Sequence, residues 1–230
     1  MTTRALFLSA FVSIAMAAGA ADAANLLTNG SFEDTTGFVN QGNDTMSLFA
    51  GSTTMTGWTV AGSSSHGLAW IGPTNPFGLT AQDGSYFLDL TDYVTGGPFN
   101  GVSQSFGTTA GHEYQVTFYL GSSTIWGIED GITASAAGQA KTFTSTNGGS
   151  STNLWQLETF TFLASASSTT LSLDGASGVQ YIGLDNVAAT DLGPSGAIPE
   201  PSTWAMLLVG FLGLAAAGYR VSRRGVSTTT

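Results

Sequence analysis

Residues 113–120 read EYQVTFYL, and this stretch decides the fold class. Its apolar side chains alternate with polar ones at a period of two, as in a β-strand with one buried face. Six similar short runs follow the same pattern or are strand-like: GWTV, GSYFLDL, NGVSQSF, LETFTFL, TTLSLD and VQYIGLDNV. Turn-forming clusters such as AQDG, STNGGSSTN and DGASG separate several of them. The pattern predicts an all-β chain folded as an antiparallel β-sandwich.

The charge of the chain is strongly uneven. Between Asn25 and Gly193 there are thirteen acidic residues and one base, Lys141, so this body carries a formal charge of about −12. Such a surface repels phosphate backbones, and we exclude nucleic acid as a partner. It suits neutral ligands and divalent cations. The chain has no cysteine, which excludes disulfides, zinc–thiolate sites and cysteine nucleophiles.

The first 23 residues have the organisation of a secretory signal peptide. Arg4 supplies the positive region, and an uncharged apolar run from Ala5 to Ala18 follows it. Ala21 and Ala23 are the small residues that signal peptidase requires before a cut after Ala23. We therefore expect passage through the Sec translocon and removal of residues 1–23.

The other end of the chain is also apolar. Residues 203–219 carry no charge and would span about 25 Å as a helix, close to the minimum for a bilayer. Arginines follow in residues 220–230, and by the positive-inside tendency this basic tail stays in the cytoplasm while the body lies outside. We predict a transmembrane helix at 203–219, with a β-sandwich domain at 24–193 and a linker at 194–202.

The linker and helix together resemble the PEP-CTERM sorting signal of Gram-negative bacteria. The residues that carry the resemblance are Pro199, Glu200, Pro201, Trp204, Arg220, Arg223 and Arg224. The resemblance implies recognition by an exosortase near the Pro-Glu-Pro motif. It also implies a precursor held in the inner membrane with its body in the periplasm, then transfer to the cell surface or extracellular matrix. Proteins with this signal are associated with exopolysaccharide and biofilm formation.

The body resembles galactose-binding-like jelly rolls, including the DUF642 type and several carbohydrate-binding modules. The resemblance lies in the order of NLLTNGSFED, GWTV, AQDGSYFLDL, GVSQSFGTTAGHEYQVTFYLG and YIGLDNV. In the resembled modules, the acids of the first and last motifs approach each other at a structural calcium ion. Here those acids are Glu33 and Asp185, and hard oxygen ligands suit Ca²⁺. The alternative is that Asp185 caps a strand end and Glu33 is solvated.

Aromatic side chains are the candidates for contact with sugars, because a pyranose ring has an apolar face that stacks on them. Trp126 lies between glycines and beside two acids, and Trp70 and Tyr93 are further candidates. Packing in the core is the competing role for each of them, and Trp58 in GWTV is predicted to be core. His66 and His112 lack a second histidine at metal-ligand spacing and are predicted to be ordinary polar residues.

The sequence favours an exported, non-enzymatic protein that contacts extracellular polysaccharide. A structural matrix protein acting by self-association is the main alternative. A glycan hydrolase is the third, and it would need two carboxylates facing each other about 5 to 10 Å apart. Glu113, Glu129 and Glu158 are the available glutamates, and the sequence does not pair them.

Overall fold

A computed structural model describes residues 24–62, 65–123, 130–145, 154–178, 181–196 and 206–214. Within residues 24–196, the described segments contain eleven strands. They are β1 Thr45–Leu48, β2 Thr59–Ala61, β3 Leu68–Ile71, β4 Phe87–Asp89, β5 Gly101–Gly107, β6 His112–Gly121, β7 Gly131–Ala136, β8 Gln139–Thr144, β9 Trp155–Leu163, β10 Ser168–Ser177 and β11 Gly183–Pro194.

The strands form two antiparallel sheets. Sheet A has the order β1-β3-β4-β11-β6-β9, and sheet B has the order β2-β5-β10-β7-β8. One hydrophobic cluster combines residues of both sheets, among them Trp70 and Phe118 from sheet A and Val102 and Leu171 from sheet B. The sheets therefore pack face to face, and the predicted antiparallel β-sandwich is confirmed.

Strand β6 lies inside sheet A, between β11 and the edge strand β9. Tyr114, Val116, Phe118 and Leu120 are buried, whereas the polar residues between them are half-exposed. β6 pairs with β11 on one side and with β9 on the other. Strand β6 buries one whole face against the core, as the period of two predicted.

The first and last motifs of the body meet in space. The Gly30 carbonyl accepts a hydrogen bond of 2.9 Å from the Val187 amide, and Asn25 bonds the backbone of Val187 and Ala189. Trp58 donates its indole N–H to the Asn29 carbonyl at 2.9 Å and packs against Phe32. Trp58 is 1% exposed, so its predicted place in the core is confirmed. These contacts attach the opening segment to the final strand.

Strand direction gives the sandwich two ends. At the loop end, β4, β8 and β10 finish and β5, β7, β9 and β11 begin. At the exit end, β6 begins, β9 and β11 finish, and the chain leaves the body after Pro194. The twelve residues of β11 run from the loop end to the exit end, a distance of about 40 Å.

The predicted targeting segments fall largely outside the described residues. This holds for Ala21 and Ala23 and for all seven residues of the sorting signal. Residues 206–214 form a helix with exposed apolar side chains. Within the parts of the chain that the structure describes, no helix is long and apolar enough to cross a membrane.

Candidate functional site

A turn at the loop end holds an exposed aromatic ring. Asp89, the last residue of β4, is fully buried, and its carboxylate accepts bonds from the Thr91 amide at 3.0 Å and the Ile182 amide at 2.9 Å. The Thr91 hydroxyl also donates to Asp89 and accepts from the Tyr93 amide at 3.2 Å. Asp89 therefore organises the turn that begins at Thr91 and leaves Tyr93 37% exposed.

The ring of Tyr93 has both apolar and polar neighbours. Its centroid lies 5.1 Å from that of the half-buried Phe77. The neighbouring Asp92 accepts a 2.9 Å hydrogen bond from the Ser47 hydroxyl. Burial, followed by the nearby charges of Asp89 and Asp92, raises the pKa of Tyr93 to about 12. A side-chain hydrogen bond with Thr45 opposes this shift and engages the phenol, which stays neutral, while the exposed part of the residue can stack on a ligand.

Buried polar groups lie behind this turn. Burial raises the pKa of Asp89 to about 7 even though several hydrogen bonds oppose the shift. Burial also raises the pKa of Asp130 to about 7, and the Ser122 hydroxyl offsets part of the shift. Within the described segments, no well-aligned hydrogen bond reaches either of the Asp130 oxygens. The hydroxyl of the buried Tyr181 likewise has no hydrogen-bond partner among the residues that the structure describes. The charge of Asp89 contributes to the raised pKa values of both Asp130 and Tyr181, so the three groups lie near one another.

The two tryptophans proposed as sugar platforms have different outcomes. Trp70 is fully buried and packs edge-on against Phe38, so its proposed role as an exposed platform is wrong. It lies on β3 with its side chain on the inner face of sheet A, beside Leu68 and Leu88 in the core. Trp126 lies outside the described residues, so its role stays a prediction.

Trp155 is an aromatic residue near the loop end for which the sequence suggested no role. It begins β9, is half-buried, and donates its indole N–H to the Thr80 carbonyl at 2.9 Å. Its ring covers Gly121, where any larger residue would collide with it, and it packs edge-on against Phe87. Because its N–H and one edge are occupied, Trp155 supports the site rather than offering an open platform.

Glu33 and Asp185 hold the same turn, residues 82–86. Glu33 accepts bonds from the Ser85 and Tyr86 amides at 2.7 and 2.6 Å. Asp185 accepts bonds from the Gln82, Asp83 and Asn186 amides at 2.7, 3.1 and 2.7 Å. Burial, the largest influence, raises the pKa of Asp185 to about 7. The two acids of the first and last motifs thus meet at one segment, as the resemblance implied.

The same turn is where a cation could bind. The described residues contain no group of three or more histidine, cysteine, aspartate or glutamate side chains arranged for a metal. A calcium ion here would therefore depend on the second oxygen of Glu33, on Asp185 and on backbone carbonyls, a mixture that Ca²⁺ accepts. The carboxylates already satisfy backbone amides, so they stabilise the turn with or without an ion.

The remaining candidates are spread over the molecule. His66 is exposed, while His112 at the exit end lies 3.0 Å from the Asp191 carboxylate. That carboxylate also accepts hydrogen bonds from the Tyr114 hydroxyl and the Gly193 amide.

The candidate glutamates of a hydrolase are not brought together. Glu113 pairs with Leu163 and Glu158 pairs with Phe118, so the two glutamates lie five register positions apart along the paired strands β6 and β9. Glu129 lies outside the described residues.

Two family models match this chain. One, described as protein of unknown function (DUF642), matches residues 25–181. The other, the PEP-CTERM protein-sorting motif, matches residues 197–224. The two resemblances drawn from the sequence motifs are confirmed.

A curated relative is halomucin of Haloquadratum walsbyi, 29% identical over 172 residues. The match covers 73% of this chain and 2% of halomucin, so the chain spans a very small part of that relative.

Among solved structures, tailspike protein 4 of bacteriophage CBA120 has 13% identity and a TM-score of 0.48, with 73% of this chain and 21% of that chain covered. A CBM22 xylan-binding domain from Paenibacillus barcinonensis has 16% identity and a TM-score of 0.41. The match covers 64% of this chain and 92% of that domain. Scores this low do not establish a shared binding site.

Proposed function

This chain belongs to the DUF642 family and carries a PEP-CTERM sorting motif, and from that premise we propose that it is an exported, non-enzymatic protein that binds extracellular polysaccharide. The precursor enters the Sec pathway through its leader. The helix at 203–219 then anchors it in the inner membrane of a Gram-negative bacterium, with the body in the periplasm. An exosortase cuts near Pro199–Pro201 and passes the body to the cell surface or matrix.

The observation that carries the proposal is the joining of the sorting motif to an acidic β-sandwich. The motif begins directly after the described body, and the body leaves through its exit end. The turn of Tyr93 lies at the loop end, separated from the exit by the length of β11. A body anchored through its C-terminal side would therefore present Tyr93 away from the membrane.

Polysaccharide is the ligand that suits the loop end. Tyr93 offers an exposed aromatic face, and the neighbouring Asp92 offers acceptors for sugar hydroxyls. Protein sites for neutral ligands combine apolar surface with a few fixed polar groups in this way. The strongly negative charge of the body favours neutral glycans over anionic ones.

The test is affinity electrophoresis of residues 24–196 in gels that contain neutral polysaccharides. We expect at least one glycan to retard the body. Tyr93→Ala and Trp126→Ala should each weaken the retardation by about tenfold, the loss of roughly 1.4 kcal/mol. Leu192→Ala, which removes an exposed apolar side chain at the exit end, should leave it unchanged. Equal mobility of the body in all gels would reject polysaccharide binding.

We also propose that the turn at 82–86 binds a structural calcium ion. The support is the convergence of Glu33 and Asp185 on that turn. The ion would contribute stability and no catalytic step, and it would reduce the negative charge of the body.

A further inference from the structure

Strand β9 forms the longest edge in the described part of the molecule. It ends the order of sheet A and has nine residues, Trp155–Leu163, which pair on one side with β6. The other edges are β1 with four residues, β2 with three and β8 with six. Natural proteins protect edge strands by keeping them short or by adding charge, because an open edge can pair with another chain. β9 has neither protection along most of its length.

The composition of β9 would allow its free edge to pair with a strand of another chain. It reads WQLETFTFL, with one acid, no base and no proline. Leu157 and Leu163 are 54% and 46% exposed on its outer face. Thr159 and Thr161 lie between these two leucines on the same face and are also exposed. Gln139 covers the Leu163 carbonyl, so the open section is centred on Thr159.

Charge identifies the flank where two copies can approach. The body has thirteen acids and one base, and that base, Lys141, lies on β8 beside β9. Lys141 and Gln139 line a groove with Thr159, Phe160 and Thr161. β9 holds one acid, Glu158, and β8 holds one base, Lys141, so the formal charges of these two strands cancel. Elsewhere on the body, like charges oppose the approach of a second copy.

We propose that β9 pairs antiparallel with β9 of a second copy of this chain. In a twofold arrangement centred on Thr159, Leu157 of each copy lies opposite Thr161 of the other. Trp155 then lies beside the partner's Leu163, so each exposed apolar side chain meets the partner's outer face. The two six-stranded sheets become one continuous sheet across the dimer. Self-association of this kind goes beyond glycan binding, because it makes the body divalent for any ligand at the loop end.

The chain has no cysteine, which makes a crosslinking test direct. In the full chain, Thr159→Cys places two thiols directly opposite each other, within the Cα separation that a disulfide requires. We expect a band of twice the mass under oxidising, non-reducing conditions, which disappears on reduction. Thr170→Cys, an exposed position in the middle of sheet B, is the matched control. It should crosslink about tenfold less, because its thiols cannot meet.

Two further variants keep the test decisive. A mixture of Leu157→Cys and Thr161→Cys chains should crosslink more than either variant alone, since the proposed register pairs these positions. Thr159→Lys lowers the negative charge of the body, so it would favour association if net charge controlled it. We expect it to abolish association, because it places two lysines opposite each other. Equal crosslinking at Thr159→Cys and Thr170→Cys, or none in any variant, overturns the proposal.

Discussion

At the residue scale, the contact between the first motif of the body and its final strand depends on a single glycine. Gly30 lies against the Val187 carbonyl so closely that a Cβ atom at this position would collide with it. The collision is with backbone, which cannot rotate away as a side chain could. The motif NGSFE therefore requires glycine at its second position for packing, in addition to its turn.

We predict that Gly30→Ala lowers the free energy of unfolding by about 2–3 kcal/mol, the upper part of the range for overpacked sites. Urea unfolding followed by tryptophan fluorescence measures this value. Gly107→Ala is the control, because a Cβ atom at Gly107 has no neighbour within 4 Å and its backbone needs no left-handed conformation. If the two variants unfold alike, the close contact between the motifs is wrong.

Asp89 makes the stability of the body depend on pH. Its pKa is about 7 in the folded protein against 3.8 as the ordinary value, so the folded state retains a proton that the unfolded state has lost. The contribution is complete below about pH 4 and declines as the pH rises to about 7, by at most about 4 kcal/mol. Asp130 and Asp185 act in the same direction.

We predict a higher thermal midpoint at pH 5 than at pH 8, and a smaller difference in Asp89→Asn. Asparagine keeps the acceptor that holds Thr91 and Ile182 but cannot ionise. Asp174→Asn, on the half-exposed outer face of β10, should leave the difference as in the wild type. A midpoint that rises from pH 5 to pH 8, or an unaltered difference in Asp89→Asn, would contradict this assignment.

At the scale of elements, the sequence predicted several strands that bury one face, but it did not predict β7, whose buried positions alternate in the same way. β5, β6, β9 and β10 alternate clearly, and their predicted positions are confirmed. β8 was not predicted, because five of its six residues are exposed and its pattern has no apolar period. β3 was also missed, since all four of its residues are buried and a short continuous apolar run does not distinguish strand from helix.

The site could be predicted only in part, because a local sequence pattern shows neither which sheet face a side chain occupies nor which distant residues it contacts. Tyr93 was a candidate and is exposed, and its contact with sugar stays a prediction. Trp70 was misassigned because a tryptophan in a short strand gives no sign of which sheet face it will occupy. The supporting role of Asp89 depends on contacts with Ile182, 93 residues away, which no local pattern contains. The motif D-x-T, an aspartate bonded to the threonine two positions later, was the available signal for the turn.

The turn at 82–86 is the element at which calcium would act. We predict that EDTA lowers the thermal midpoint of the body and that added Ca²⁺ restores it, by several degrees for a bound ion at saturating concentration. In Glu33→Gln the response should be weaker, because one charged ligand is lost while an acceptor for the Ser85 and Tyr86 amides remains. A midpoint unaffected by EDTA would remove calcium from the account and leave Glu33 and Asp185 as backbone caps.

At the scale of the whole molecule, the two ends of the sandwich have different roles. The exit end joins the body to the sorting motif, and the loop end holds Tyr93 and the buried acids around it. Between them, the edge of β9 runs along one flank. Anchoring, glycan contact and self-association would therefore use separate surfaces and need not exclude one another.

The most direct measurement compares where the protein is found in cells that make exopolysaccharide and in cells of the same strain that do not. Immunoblots of cytosol, membrane, surface matrix and medium give the distribution, and intact mass identifies the processed ends. The account predicts a form without residues 1–23 and without the sorting helix, retained in the matrix of the first strain and released to the medium of the second. Full-length protein in the cytosol, or the same distribution in both strains, would contradict it.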